Sequence, residues 1–205
     1  LRPGDEVVVS IAEHHSNFLP WQQLCARTGA EIRFLPCDAE GRYSDEALDR
    51  VLTDRTRIVA VTHMSNVFGR LTDLSKIADA AHAHGALLVA DGCQSVPHVP
   101  VDVQALDVDF MAFSGHKMLC PNGIGVLYGK RALLEALPPF LTGGEMIESV
   151  TTEEAVWAPL PQKFEAGTVN TDGALALAEA IRFYSRIGFQ AMMAQEAHLV
   201  QRLMH

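Results

Sequence analysis

The chain alternates short, nearly uninterrupted apolar runs with longer amphipathic stretches, and this alternation constrains the fold more than any other feature. Glu6–Ser10, Glu31–Pro36, Arg57–Thr62, Ala86–Ala90, Phe110–Ser114 and Ile124–Tyr128 have the length and composition of strands. Ala86-Leu87-Leu88-Val89-Ala90 is apolar throughout, as expected of a strand covered on both faces. Between these runs, Phe18–Arg27 reads as a helix closed by Gly29, which takes the left-handed cap without a Cβ penalty. Ser44 and the acids Asp45 and Glu46 mark a helix start running to Leu52. Leu74–His84 is a third helix, stopped by Gly85. Strands separated by helices imply βαβ units and a mostly parallel sheet with helices on both faces. Ile124–Tyr128 follows its predecessor after a Gly/Pro turn too short for a parallel crossover, so it is expected to run antiparallel.

From Pro138 to Gly167 the texture changes to scattered Pro and Gly without a period, which predicts a long loop of functional or interface character. Gly173–Ile187 and Gln190–Met204 then read as helices, with Ala174, Ala176, Ala178 and Ala180 expected in close packing. Residues 1–187 are expected to form one large α/β domain, incomplete at its N-terminus. Residues 188–205 are expected to form a helix leading toward a further domain. The start, Leu1-Arg2-Pro3-Gly4-Asp5, has neither an initiator Met nor the pattern of a signal peptide, so the chain is expected to be a piece of a longer one.

Charge narrows the function classes. The chain has 16 Lys and Arg against 25 Asp and Glu, a net charge of −9, and no basic run. A nucleic-acid binder, which needs a basic patch to displace counterions, is therefore not expected. No apolar run approaches the ~20 residues of a membrane span. Cys25, Cys37, Cys93 and Cys120 form no CxxC pair, so reduced thiols and a cytoplasmic setting are expected. Cys25 and Cys37 read as core or near-surface filler. His82 and His84 are two apart on a helix, point different ways, and make a poor metal pair.

Two strand ends carry chemistry. Val89-Ala90-Asp91-Gly92-Cys93-Gln94 puts an Asp at the carboxyl edge of the sheet, where open α/β folds bind ligands. Taken alone, Asp91 is more simply a turn or capping residue. Phe113-Ser114-Gly115-His116-Lys117 puts Ser, His and Lys at the same edge, 26 residues further on at Lys117, with Gly115 permitting a tight turn. A Lys is usually a surface residue, but this one follows an apolar strand. A confined Lys loses its proton readily and bonds covalently to aldehydes. A carboxylate, a reactive Lys and neighbouring hydroxyl and imidazole groups suit pyridoxal phosphate, whose ring nitrogen needs an anionic partner.

Taken together and in order, several motifs resemble the cysteine desulfurases of the class V aminotransferase family, on the branch of the sulfur-mobilisation and selenocysteine lyase-like enzymes. They are Ala12-Glu13-His14-His15-Ser16-Asn17 with Pro20-Trp21, Ser65-Asn66-Val67, Asp91-Gly92-Cys93-Gln94, Ser114-Gly115-His116-Lys117, Gly123-Ile124-Gly125-Val126-Leu127-Tyr128 and Phe164-Glu165-Ala166-Gly167-Thr168. The resemblance spans nearly the whole chain. It implies the large domain of a fold-type I pyridoxal phosphate enzyme, a homodimer, an L-cysteine or selenocysteine substrate, a sulfur-acceptor protein and a link to iron–sulfur cluster assembly. It implies Lys117 as the cofactor-linked lysine, Asp91 at the pyridine nitrogen, and Gln94 at the ring phenolate oxygen. Asn66 falls near that oxygen and the substrate carboxylate, and Ser114 and His116 at the phosphate. His14 matches the imidazole stacked on the ring, in preference to His15; Gly167-Thr168 matches a loop that reaches the neighbouring subunit's phosphate.

Departures from the family pattern are Cys93 where Ala is common, Cys120 where Gly is common, and Val169 where Pro is frequent. By the same resemblance, the sulfur-accepting Cys and an Arg for the substrate carboxylate fall after residue 205, and none of the four cysteines present stands in that motif. Other class V enzymes (a kynureninase, an epimerase or an aminotransferase) share the Asp/Lys pair, and a non-catalytic domain keeping the fold is a further alternative. A Rossmann nucleotide binder is disfavoured because no GxGxxG follows a strand.

Overall fold

The computed structural model describes residues 1–204. The strands are β1 (Glu6–Ser10), β2 (Glu31–Leu35), β3 (Thr56–Thr62), β4 (Leu87–Asp91), β5 (Phe110–Ser114) and β6 (Gly125–Gly129). They form one sheet in the order β2-β1-β3-β4-β5-β6. Every pair is parallel except β5–β6, which is antiparallel as the short connection requires.

Alternation along β1 shows why the sheet is covered twice. Val8 faces the larger core with Val59, Val61, Leu88 and Ala90, closed by Leu48 and Val51 of α2 (Asp45–Val51) and Leu74 and Ile77 of α3 (Leu74–Ala83). Val7 and Val9 face the other way, with Ala60, onto Cys25 of α1 (Leu19–Thr28). Ser44 caps α2 by accepting from the Ala47 N–H, and Gly29 closes α1 at φ 75°. The crossover from β4 to β5 contains no regular helix. It is a run of turns, and Val96, Val101, Val103 and Leu106 pack it onto the core.

Beyond β6 the structure departs from the sequence reading. A short helix α4 (Arg131–Ala136) follows, and the segment expected as a loop contains a ribbon of β7 (Ile147–Val150) and β8 (Ala155–Trp157). Lys163, buried, donates to the carbonyls of Leu134 and Glu135 and ties this segment to the end of α4. α5 (Thr171–Ile187) buries Gly173, Leu177, Ala180 and Tyr184, a 3.6-residue stripe that packs on Met118 and Cys120. Of the four alanines expected there, Ala180 is buried, Ala176 and Ala178 are half-buried and Ala174 is exposed. α6 (Phe189–Met204) lies against α5 and buries none of its residues, and His205 lies outside the described residues.

Candidate functional site

Parallel strands bring their carboxyl ends to one edge, so the residues that end β3, β4 and β5 become neighbours although they are far apart in sequence. Thr62 pairs with Asp91, and Asp91 with Ala112. Asp91 Oδ1 accepts the Cys93 N–H at 2.9 Å, and the Gly92 N–H donates to the Ala112 carbonyl at 2.8 Å. Cys93 Sγ lies 3.8 Å from Ser114 Oγ. Asp91 and Ser114 are thus joined through Cys93. Burial, then a hydrogen bond to Asp91 and its charge, raise the Cys93 thiol above its usual range.

Residues 115–118 form one turn of 3-10 helix after β5. The Gly115 N–H donates to the Ile124 carbonyl at 2.9 Å, and Leu119 closes the turn in the left-handed region at φ 59°. His116 is exposed and Lys117 half-buried. The chain has four lysines. Lys76 pairs with Asp45, Lys130 with Asp107 and Asp109, and Lys163 holds two carbonyls. Lys117 alone makes no ion pair or hydrogen bond with the described residues.

Asn66 and Gln94 line a common open cavity of about 580 Å³, whose far side is lined by α6. His98 and Glu196 bridge its wall at 2.6 Å. His14 is exposed; its Nδ1 accepts from the Ser16 N–H at 3.2 Å and so caps a short turn over His15–Asn17. Thr168 is exposed on the loop where the Gly167 N–H meets the Gly144 carbonyl at 2.9 Å, and it shares no hydrogen bond with the other candidates.

Sequence reasoning assigned no role to Glu13, which the structure makes the hub of this edge. Its Oε1 accepts from the Thr62 N–H at 2.6 Å and from Ser10 Oγ, and its Oε2 from Asn17 Nδ2 at 2.7 Å. Burial, with the charge of Asp91 adding to it, lifts the Glu13 carboxyl to about 7. The available signal was Glu13 standing between a strand and a His pair. Cys120 is buried in the α5 packing, where its Sγ lies 3.8 Å from the Gly173 carbonyl. The thiol at the strand edge is Cys93.

The sequence profile described as Aminotransferase class-V matches residues 1–205. The chain belongs to that family. A cysteine desulfurase of Escherichia coli is 46% identical over 206 residues, covering 100% of this chain and 50% of that protein. A probable cysteine desulfurase of Halalkalibacterium halodurans is 47% identical, covering 98% of this chain and 50% of its own length. The chain therefore spans about half the length of the curated relatives it matches. The apo cysteine desulfurase of Thermococcus onnurineus superposes with a TM-score of 0.94 at 38% identity, over 98% of this chain and 50% of that one. A C-DES variant whose structure holds glycine covalently linked to its PLP cofactor superposes at 0.83 with 28% identity, over 93% and 53%. The fold is thus that of the fold-type I large domain, with β6 as its antiparallel strand.

Proposed function

We propose that the chain is the pyridoxal phosphate-holding part of a cysteine desulfurase. That activity converts L-cysteine to L-alanine and leaves the sulfur as a persulfide on an enzyme cysteine. The observation that carries this reading is Lys117, half-buried beside Ser114 and His116, unpaired where the other three lysines are engaged.

The residues fit the cofactor. An aldehyde needs a free amine, a protonated ring nitrogen needs a carboxylate with a free oxygen, and a phosphate needs hydroxyl, imidazole or N–H donors. Lys117 is the amine, Asp91 is the carboxylate at the end of β4, and Ser114 and His116 stand at the adjoining strand end. Gln94 and Asn66 line one cavity and, in this reading, serve the ring phenolate and the substrate carboxylate; Asp91 and Lys117 do not line it. Pyridoxal phosphate, when bound, supplies an electron sink for the charge left at the substrate α-carbon.

The chain's own groups do the rest. Asp91 holds a proton at the ring nitrogen, because an anion beside it favours the charged form. Lys117 Nζ would give up its place to the substrate amine and, once free, move the proton at the α-carbon, with His14 handling a second proton. The four thiols present do not suit sulfur acceptance: Cys25 and Cys120 are buried, and burial raises the Cys37 and Cys93 thiols away from the reactive thiolate.

In this reading residues 1–187 are the cofactor domain and α6 leads toward a further domain. Thr168 reaches the partner site of a homodimer, and the whole works in the cytoplasm, passing sulfur to an acceptor protein for iron–sulfur cluster assembly. No helix among the described residues is long and apolar enough to cross a membrane. The test is deuterium uptake at the α-carbon of L-cysteine with pyridoxal phosphate supplied. Exchange that falls at least tenfold in Asp91→Asn, with the unfolding midpoint kept, supports the reading; equal exchange in both proteins refutes it.

A further inference from the structure

The turn carrying His14 has almost no apolar anchorage of its own. Its 3-10 segment buries no residue, and His14, His15 and Ser16 are all exposed. What fixes it is a polar chain running through Glu13. Tyr43 Oη donates to Ser10 Oγ at 2.9 Å, and Ser10 donates to Glu13. The other carboxylate oxygen takes Asn17 Nδ2, and Asn17 Oδ1 takes the Trp21 indole N–H at 3.1 Å. The remaining partner is the Thr62 N–H, the last amide of β3, beyond the register in which β1 pairs with that strand. One carboxyl therefore ties β1, β3, the His14 turn and α1 together next to Asp91.

We propose that Glu13 is a positioning residue of the site, setting the His14 turn against the carboxyl edge of the sheet. This rests on the reading that His14 and Asp91 serve the cofactor. Both of its oxygens accept, so an amide there would set its N–H2 against a donor. A carboxyl beside Asp91 does more, since its proton state changes how tightly the turn is held. Protonation withdraws charge from three hydrogen bonds, and charge-assisted bonds are roughly twice as strong as neutral ones. The titratable groups around it are Asp91 on β4, Tyr43 ahead of α2, and His14 and His15 on its own turn. Burial and Asp91 place the Glu13 transition at about 7, where the turn changes its hold near neutral pH.

The test is a pH titration of the protein followed by amide NMR, without cofactor. The Thr62 amide and the Asn17 backbone and side-chain amides are expected to shift together with one midpoint at about 7, since Asn17 N–H donates to the His14 carbonyl and so reports the turn. All three transitions should vanish in Glu13→Gln, which keeps the shape but not the charge. In Glu13→Ala, exchange of the Thr62 amide should speed about tenfold or more, the factor carried by one lost hydrogen bond of ~1.4 kcal/mol. If Thr62 titrates while the Asn17 amides do not, or if the transitions survive in Glu13→Gln, the proposal is overturned. A second arm measures pyridoxal phosphate retention against pH. Wild type should lose or gain affinity with the same midpoint and Glu13→Gln should not; a flat wild-type profile overturns the link to the site. If wild type retains no cofactor, the proposed function falls while the NMR arm still decides the role of Glu13.

Discussion

Adding one methyl group at Gly115 tests how tightly the Lys117 turn is set. A Cβ there would stand 2.7 Å from Ile124 Cγ2, 3.2 Å from the Ile124 carbonyl oxygen and 3.4 Å from Cys120 Cβ. Carbon atoms rest about 3.5–4.0 Å apart, so the first contact must open by about 1 Å. Neither neighbour yields easily. Ile124 is β-branched and stiff at χ1, its carbonyl already receives the Gly115 N–H, and Cys120 is packed under α5. Overpacking of this kind costs roughly 1–3 kcal/mol. At about 2–4 °C per kcal/mol for a chain of this size, Gly115→Ala should lower the unfolding midpoint by roughly 2–12 °C. The same shift moves Lys117, two residues on, so pyridoxal phosphate uptake should weaken by more than the stability loss explains. Gly144→Ala is the control: no atom lies within 4 Å of its Cβ and its φ is ordinary, so that variant should be neutral or up to about 1 kcal/mol more stable. Thermal unfolding with a cofactor titration on both variants reads the outcome. A Gly115→Ala protein indistinguishable from wild type in both would refute the tight setting of the turn.

Glu13 makes a separate stability prediction. Its carboxyl sits at about 7 when folded against a reference of 4.5, so the folded state binds the proton more tightly. Stability gained from it is complete below pH 4.5 and is lost as pH rises to 7, by roughly 3 kcal/mol at 1.36 kcal/mol per unit. Urea unfolding should show this slope in wild type and not in Glu13→Gln; parallel profiles would contradict it. At the opposite edge, Glu6 is buried and receives Thr53 Oγ1 at 2.7 Å, Arg33 at 3.3 Å and Arg55. Glu6→Ala should cost about 2 kcal/mol, less than a fully buried pair, because the two Arg side chains remain solvated. It should leave cofactor uptake unchanged, which a combined unfolding and uptake assay checks.

The sheet was legible because its strands obey strong rules. β1 and β4 are apolar on both faces, and a parallel sheet needs that. Ser44 and Gly29 announced helix ends through cap chemistry that acts locally. The β7–β8 ribbon was not legible, because it is a short pair outside the main sheet and carries no buried stripe to set a period. α4 is six residues long with none buried, too short to show an amphipathic face. Asp91 and Lys117 stood out because each follows an apolar strand. Glu13 did not, since its partners Ser10, Asn17 and Thr62 come together only when β1 and β3 pair.

The most direct measurement is to reduce the pyridoxal phosphate-treated protein with borohydride, digest it and map the modified lysine. The structure leaves Lys117 free and engages Lys76, Lys130 and Lys163 with carboxylates or carbonyls. The label should therefore fall on Lys117 and disappear in Lys117→Ala. A label on Lys76, Lys130 or Lys163 with none on Lys117 would contradict the account.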